Sequence, residues 1–291
     1  MYWNPVLIIV GIVIVMVCVI GGFLLIDGPL LVLLQPSEFI VIGGAAIGSM
    51  IAANPIKFLK LLFQRLPVAL KGSPYNKAAF SELLRLQYDV FVNGKKGGLL
   101  SIEEDINNPA QSTIFSKYPR FMANHHALEF FCDAMKMIVN GAAEADELEM
   151  ALDTEIETHH AENAIAPGIL SKVSDSLPGL GIVAAVLGIV VTMQHLDGPP
   201  EELGHHVAAA LVGTFLGLLL SYGMAAPIAA NMENLALDES KYLECMKAGI
   251  VAFANGAAPS TSVEFARKTI FSCDRPSTSE LEPQLKEIKP R

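Results

Sequence analysis

Two apolar stretches, 177–193 and 207–230, are long enough to approach the width of a bilayer yet contain no aspartate, glutamate, lysine, arginine or histidine. A membrane segment that passes ions or protons ordinarily keeps an ionisable group at depth. A carrier group for such chemistry is therefore expected from another chain. What these stretches do hold is Thr214, deep inside the second, and one proline near an end of each, Pro178 and Pro227. A hydroxyl in lipid either bonds back to a carbonyl one turn earlier or meets a partner carboxylate or a conducted water. Each proline removes one helix hydrogen bond and permits a kink, and two at one depth suggest a hinge.

Small residues form the second pattern. Gly213, Gly217, Ser221 and Ala225 recur every fourth position, on one helix face, and Gly181, Ala185 and Gly188 match them on the other stretch. Such faces let helices approach closely where lipid supplies no hydrophobic drive to associate. The approach is either within this chain or toward a partner helix or an identical subunit, and the two are compatible.

Elsewhere, Lys95 and Lys96 with Glu103 and Glu104 flank Gly97-Gly98, as a solvated face or as an electrostatic docking surface. Three adjacent histidine pairs, His125-His126, His159-His160 and His205-His206, are poor bidentate sites, since neighbours on a helix point about 100° apart. No His-Glu-x-x-His, phosphate-binding glycine loop or nucleophile motif is present. Neither an enzyme, a resident metal nor a cofactor is expected, and the histidines read as surface residues.

The elements that must position these residues follow from composition. The chain is 52% hydrophobic with a mean hydropathy of +0.44. Four runs account for this, 5–26, 37–53, 177–193 and 207–230, against the ~20 residues needed to cross hydrocarbon. The first lacks a basic leader and a cleavage site and reads as a retained anchor. Segments 27–36 and 194–202 contain no lysine or arginine, whereas Lys57, Lys60, Arg65, Lys71 and Lys77 follow the second run. The basic side is the cytoplasmic side.

The fold expected is all-α and polytopic, with both termini cytoplasmic in a bacterial inner membrane. It comprises a transmembrane hairpin (1–53), a helical cytoplasmic domain (54–176), a second hairpin (177–230) and a C-terminal helix and tail (231–291). Within the cytoplasmic part, a helix at 80–92 should stop at Asn93-Gly94, Ser101–Glu104 resembles a capping box, and helices follow at 121–140 and 143–161. The tail from Arg275, with three prolines, should be loosely ordered. Four cysteines without an oxidising compartment predict no structural disulfide, and a net charge of −10 argues against nucleic acid.

Several stretches together resemble the MotA stator subunits of bacterial flagellar motors over nearly the full length. They include Gln35-Pro36-Ser37-Glu38, Ser101–Ile106, Glu155–His159, Asp175-Ser176-Leu177-Pro178, Gly181–Val186, Val212–Gly217 and Val263–Lys268. The resemblance implies five copies in a ring around two MotB-like partners, whose single span carries an aspartate. It implies coupling through the positions of Pro178 and Pro227, and contact of Glu103 and Lys95 or Lys96 with the rotor protein FliG. Sodium-driven relatives look to carry a threonine at the position of Ala185, so a proton is the expected ion. ExbB or TolQ-like energisers, with three spans, and a non-conducting scaffold are the other readings.

Overall fold

The computed structural model describes residues 6–194 and 197–288, and all regular structure among them is helical. The helices are α1 (Val6–Leu25), α2 (Leu30–Leu33), α3 (Pro36–Ala53), α4 (Ile56–Ala69), α5 (Lys77–Gly97), α6 (Glu103–Asn107), α7 (Pro119–Met122), α8 (His125–Val139), α9 (Ala145–Met193), α10 (Pro200–Leu220), α11 (Ala226–Ala254), α12 (Pro259–Thr269) and α13 (Thr278–Lys286). A π-helical turn, Ser221–Ala225, joins α10 to α11. Four helical stretches are long and apolar enough to cross a membrane: Leu7–Leu25, Leu30–Ala53, Ala145–Met193 and Pro200–Ala254. The third and fourth extend well beyond the apolar runs, so no break separates the acidic helical stretch that begins at Ala145 from the third span.

The chain divides into two compact units, Ser73–Glu162 with Ala236–Arg291, and Trp3–Gly72 with Asn163–Leu235. These boundaries follow packing, and lie away from the apolar limits at 53, 176 and 230.

The first unit has a conventional apolar core. Leu83, Leu84, Leu86, Val90 and Phe91 of α5 are almost fully buried against Phe130, Phe131 and Met135 of α8 and Met246 and Ile250 of α11. Phe91 stacks on Phe253 with ring centroids 4.5 Å apart. The Asn76 side chain caps α5 by accepting from the Ala78 and Ala79 amides. Asp89 is buried in this core, and its cost is offset by three donors. Lys117 Nζ donates to it at 2.9 Å, Tyr118 Oη at 3.1 Å and Asn93 Nδ2 at 3.0 Å.

Three local expectations are corrected here. Helix α5 does not stop at Asn93-Gly94 but continues to Gly97. The Asn93 amide is used inside the helix, and Gly94 is the point of approach of Ile102, whose Cδ1 would lie 3.1 Å from an added Cβ. The chain turns at Gly98, where φ is +80°. Ser101 forms no capping box, since α6 starts at Glu103 without a side-chain cap and Ser101 Oγ donates back to the Gly98 carbonyl at 2.7 Å. The proline-bearing tail is ordered as α13, with a capping box between Ser277 and Glu280 and Leu281 buried. Lys77 Nζ also pairs with Glu280 at 2.8 Å.

Arg267 ties α12 to the segment before α13. Its guanidinium makes two 2.7 Å bonds to the two oxygens of Glu264, and Nη1 donates to the Pro276 carbonyl at 3.0 Å. The bonds from Arg267 hold the Glu264 carboxyl below its ordinary value. A carboxylate whose pKa is lowered by folding stabilises above its ordinary 4.5 and loses that contribution as pH falls below it. Glu264→Gln should therefore flatten part of the acid limb of a thermal-midpoint against pH profile. The effect at neutral pH should stay within about 1 kcal/mol, because Glu264 is partly exposed.

Candidate functional site

The second unit is organised by a contact between α9 and α10 that only glycine permits. A Cβ on Gly181 would lie 2.8 Å from the Gly213 carbonyl oxygen and 3.1 Å from Gly217 Cα. One on Gly217 would lie 2.6 Å from the Leu177 carbonyl oxygen. Further along, a Cβ on Gly188 would lie 2.7 Å from Ala210 Cβ. The small-residue face therefore packs within this chain, backbone against backbone, as lipid-embedded helices require. Ile42 and Ala46 of α3, Leu177 and Ala184 of α9 and Val212 and Leu216 of α10 bury their side chains around it.

The seam holds a residue that the sequence reading did not single out. Glu38, in the first turn of α3, is buried at 7% exposure, and its Oε2 has no hydrogen-bond partner among the described residues. That oxygen would lie 2.5 Å from a Cβ on Gly213, so the missing side chain of α10 is the space it occupies. Ala184 Cβ and the Ala185 amide nitrogen border the same space at 3.1 Å. The two-helix hairpin does lack a carboxylate, but α3 supplies one to it. A glutamate in the first turn of a helix normally complements the positive helix end, which hides from sequence that this one turns inward.

Thr214 is half-buried on α10, its Cα 3.3 Å from the Gly181 Cβ position. Ala185 is half-buried nearby and presents only a methyl group. The two prolines behave differently. Helix α9 runs without an assigned break through Pro178. A proline there cannot donate to the carbonyl of residue 174, and Ser221 Oγ donates to that Ser174 carbonyl instead, at 2.7 Å. Ser174 Oγ returns a 3.2 Å bond to the Ser221 carbonyl, and both serines are buried. Pro227 is exposed just after the π-turn, which takes up the irregularity on that helix. The π-turn also ends the four-residue stripe at Ser221, so Ala225 leaves its register.

The other predicted residues belong to the first unit. Lys95 and Lys96 are exposed at the end of α5 and Glu103 is half-buried at the start of α6. Lys95 Nζ lies 3.4 Å from the carbonyls of Gly256 and Ala257. The paired histidines separate: His126 and His159, from different pairs, stack with ring centroids 3.7 Å apart, while His205 and His206 stay on α10.

Two outcomes follow from the seam. Ser221→Ala should cost about 1–3 kcal/mol by orphaning the Ser174 carbonyl, and adding Pro178→Ala should recover part of it by restoring a backbone donor. Chemical denaturation of the two single variants and the double variant in detergent measures that coupling. Gly217→Ala, which meets backbone, should cost about 1–3 kcal/mol, whereas Gly44→Ala, which meets nothing within 4 Å, should leave the same unfolding midpoint within error.

The chain matches the model for the Motility protein A N-terminal region over residues 9–98 and that of the MotA/TolQ/ExbB proton channel family over residues 122–245. It is 41% identical to Motility protein A of Escherichia coli over 283 residues, 97% of this chain and 96% of that one. It is 34% identical to the chemotaxis protein LafT of Vibrio parahaemolyticus over 95% of this chain and 97% of that one. A solved MotAB structure from C. jejuni superposes with a TM-score of 0.79 at 21% identity, covering 93% of this chain and 98% of that chain. A seam of glycines in a four-span helical chain thus coincides with near full-length kinship, and the protein belongs to the Motility protein A branch of the MotA/TolQ/ExbB proton channel family.

Proposed function

We propose that this chain is the multi-pass channel-forming subunit of a bacterial flagellar stator, acting with a MotB-like partner to convert a proton gradient into torque. The observation that carries the mechanism is the buried Glu38 carboxylate set into the space left by Gly213, beside Ala185 and Thr214. In a low-dielectric seam a carboxylate is costly when charged and acceptable when protonated. It would thus take up a proton readily and hand it on only to a carboxylate of comparable basicity, the aspartate in the single membrane helix of the partner, regaining a proton as that one is passed on. Thr214 gives that aspartate a hydroxyl to bond between proton arrivals. Ala185 offers no side-chain oxygen, and sodium requires several oxygen ligands, so the ion is H+.

Five copies of this chain surround two partner chains in this reading, with both termini on the cytoplasmic side. The potential supplies about 2.3 kcal/mol per unit charge per 100 mV. The π-turn and Pro227 let α10 and α11 yield as the ring steps, and the Ser174–Ser221 bonds restore the stretch around Pro178. Lys95, Lys96 and Glu103 face FliG. Lys95 already leans on two backbone carbonyls, so Lys96 carries more of the steering charge. An ammonium steers and registers a partner without the two-pronged bonding of arginine.

The test is proton uptake by vesicles containing both chains under an imposed potential. Flux should require both chains, vanish when the partner aspartate becomes asparagine, and fall roughly tenfold or more with Glu38→Gln, as loss of a proton-transfer group does. Swimming restored by this chain should be independent of sodium. Flux from this chain alone, or swimming that needs sodium, would overturn the mechanism. Unchanged flux with Glu38→Gln would remove Glu38 from it.

A further inference from the structure

Three ligand-bearing side chains converge in the first unit. His126 comes from the first turn of α8, His159 from α9 and Glu239 from α11. One ligand atom from each lies within 4.8 Å of the others. Glu239 Oε1 is 3.9 Å from His126 Nδ1 and 3.8 Å from His159 Nε2. We infer that His126, His159 and Glu239 form a binding site for one borderline divalent cation, of which Zn2+ is the type.

The chemistry of the set fits such an ion. Two imidazole nitrogens and one carboxylate oxygen are ligands for zinc and its neighbours rather than for calcium or magnesium, which take oxygen. Bonds of about 2.0–2.2 Å put two ligands of one tetrahedral zinc ion roughly 3.3–3.6 Å apart. Both separations to Glu239, 3.9 and 3.8 Å, exceed that by a few tenths of an ångström, and the widest in the set, at most 4.8 Å, must shorten by about 1 Å. His126, the most exposed of the three at 37%, has the freedom to close that gap. Its exposure also admits water to a fourth position, while His159 and Glu239 are held at 13% and 12% exposure.

The surroundings keep the ligands in place. His160 Nδ1 lies 3.0 Å from Ser240 Oγ, so the residues next to two of the ligands already pin α9 to α11. The rings of His126 and His159 stack face to face, 18° from parallel, which brings both imidazoles to the carboxylate and leaves the exposed His126 ring to turn its nitrogen toward a shared ion. Neither an adjacent histidine pair nor a four-residue helical repeat is involved. The site takes one member from each of two pairs, and an ion in it clasps three helices of the first unit.

The experiment uses the full-length chain in detergent after treatment with a chelator. Co2+ is titrated by its visible absorption and displaced with Zn2+. One metal ion per chain is expected, with affinity lowered at least about tenfold by His126→Gln, His159→Gln or Glu239→Gln, since loss of even a supporting group costs that much. His125→Gln and the double change His205→Gln with His206→Gln should leave it unchanged. X-ray absorption of the Zn2+-loaded unaltered chain reads the ligand set without any substitution. Two imidazoles with carboxylate oxygen support the site even if a variant misfolds. A sulfur ligand, fewer than two imidazoles, no retained Zn2+, or undiminished affinity in the folded double variant of His126 and His159 would overturn it.

Discussion

Backbone lies directly on backbone where α9 crosses α10, and the rest of the membrane-spanning unit depends on that contact. In lipid there is no hydrophobic gain from bringing two apolar helices together, so association rests on close packing and on hydrogen bonds. Gly181 and Gly217 provide the first by having no side chain, each filling what would be the other's Cβ space. The second follows from the first. Only at this separation can Ser221 reach across to the carbonyl that Pro178 leaves without a donor. Only with Gly213 bare can α3 place the Glu38 carboxylate against α10. Packing, proline tolerance and a buried carboxylate are three results of one absent methyl group repeated along a helix.

The other unit answers a different solvent. Its aromatic and aliphatic core, with Phe91 on Phe253 and Leu83 and Leu84 fully buried, is stabilised by water exclusion in the ordinary way. Its buried polar groups are satisfied only in part. Asp89 has three donors, whereas Gln87 donates to the Met246 carbonyl at 2.9 Å but leaves its Oε1 without a partner beside Gly249, where an added Cβ would lie 2.6 Å from that oxygen. The contrast with Glu38 is informative. Asp89 has partners on both of its oxygens, whereas Glu38 Oε2 has none among the described residues.

The four membrane-crossing stretches were legible because hydropathy over about 20 residues is a sum, insensitive to the fate of any one side chain. The glycine faces were legible because helical periodicity projects Gly213, Gly217 and Ser221 onto one side whatever they meet. Glu38 was not, since its direction is a tertiary fact and its position at a helix start already had a sufficient local explanation. Asn93-Gly94 misled for the reverse reason. As a dipeptide it favours a turn, but the Asn93 bond to Asp89 and the approach of Ile102 to Gly94 outweigh that preference. In the tail, the Ser277–Glu280 capping box and the burial of Leu281 prevail over the count of prolines. His126 and His159 meet across 33 positions of chain, a distance no local spacing rule inspects.

The π-turn at Ser221–Ala225 has a consequence for how this chain can change over time. A π-turn is in effect one residue more than an α-helical turn holds, and each helical residue advances the side chains by about 100°. Deleting any one residue between 221 and 225 would restore a plain α-helix. It would also leave the side chains from Ala226 onward at nearly their present angle to α10, because the extra residue is accommodated within the wider turn. The buried set Met232, Ala236, Leu243, Met246 and Ile250 would keep its edge. The same deletion in a plain α-helical stretch would turn everything beyond it by about 100°. The segment therefore tolerates the loss of one residue that the helices on either side of it do not.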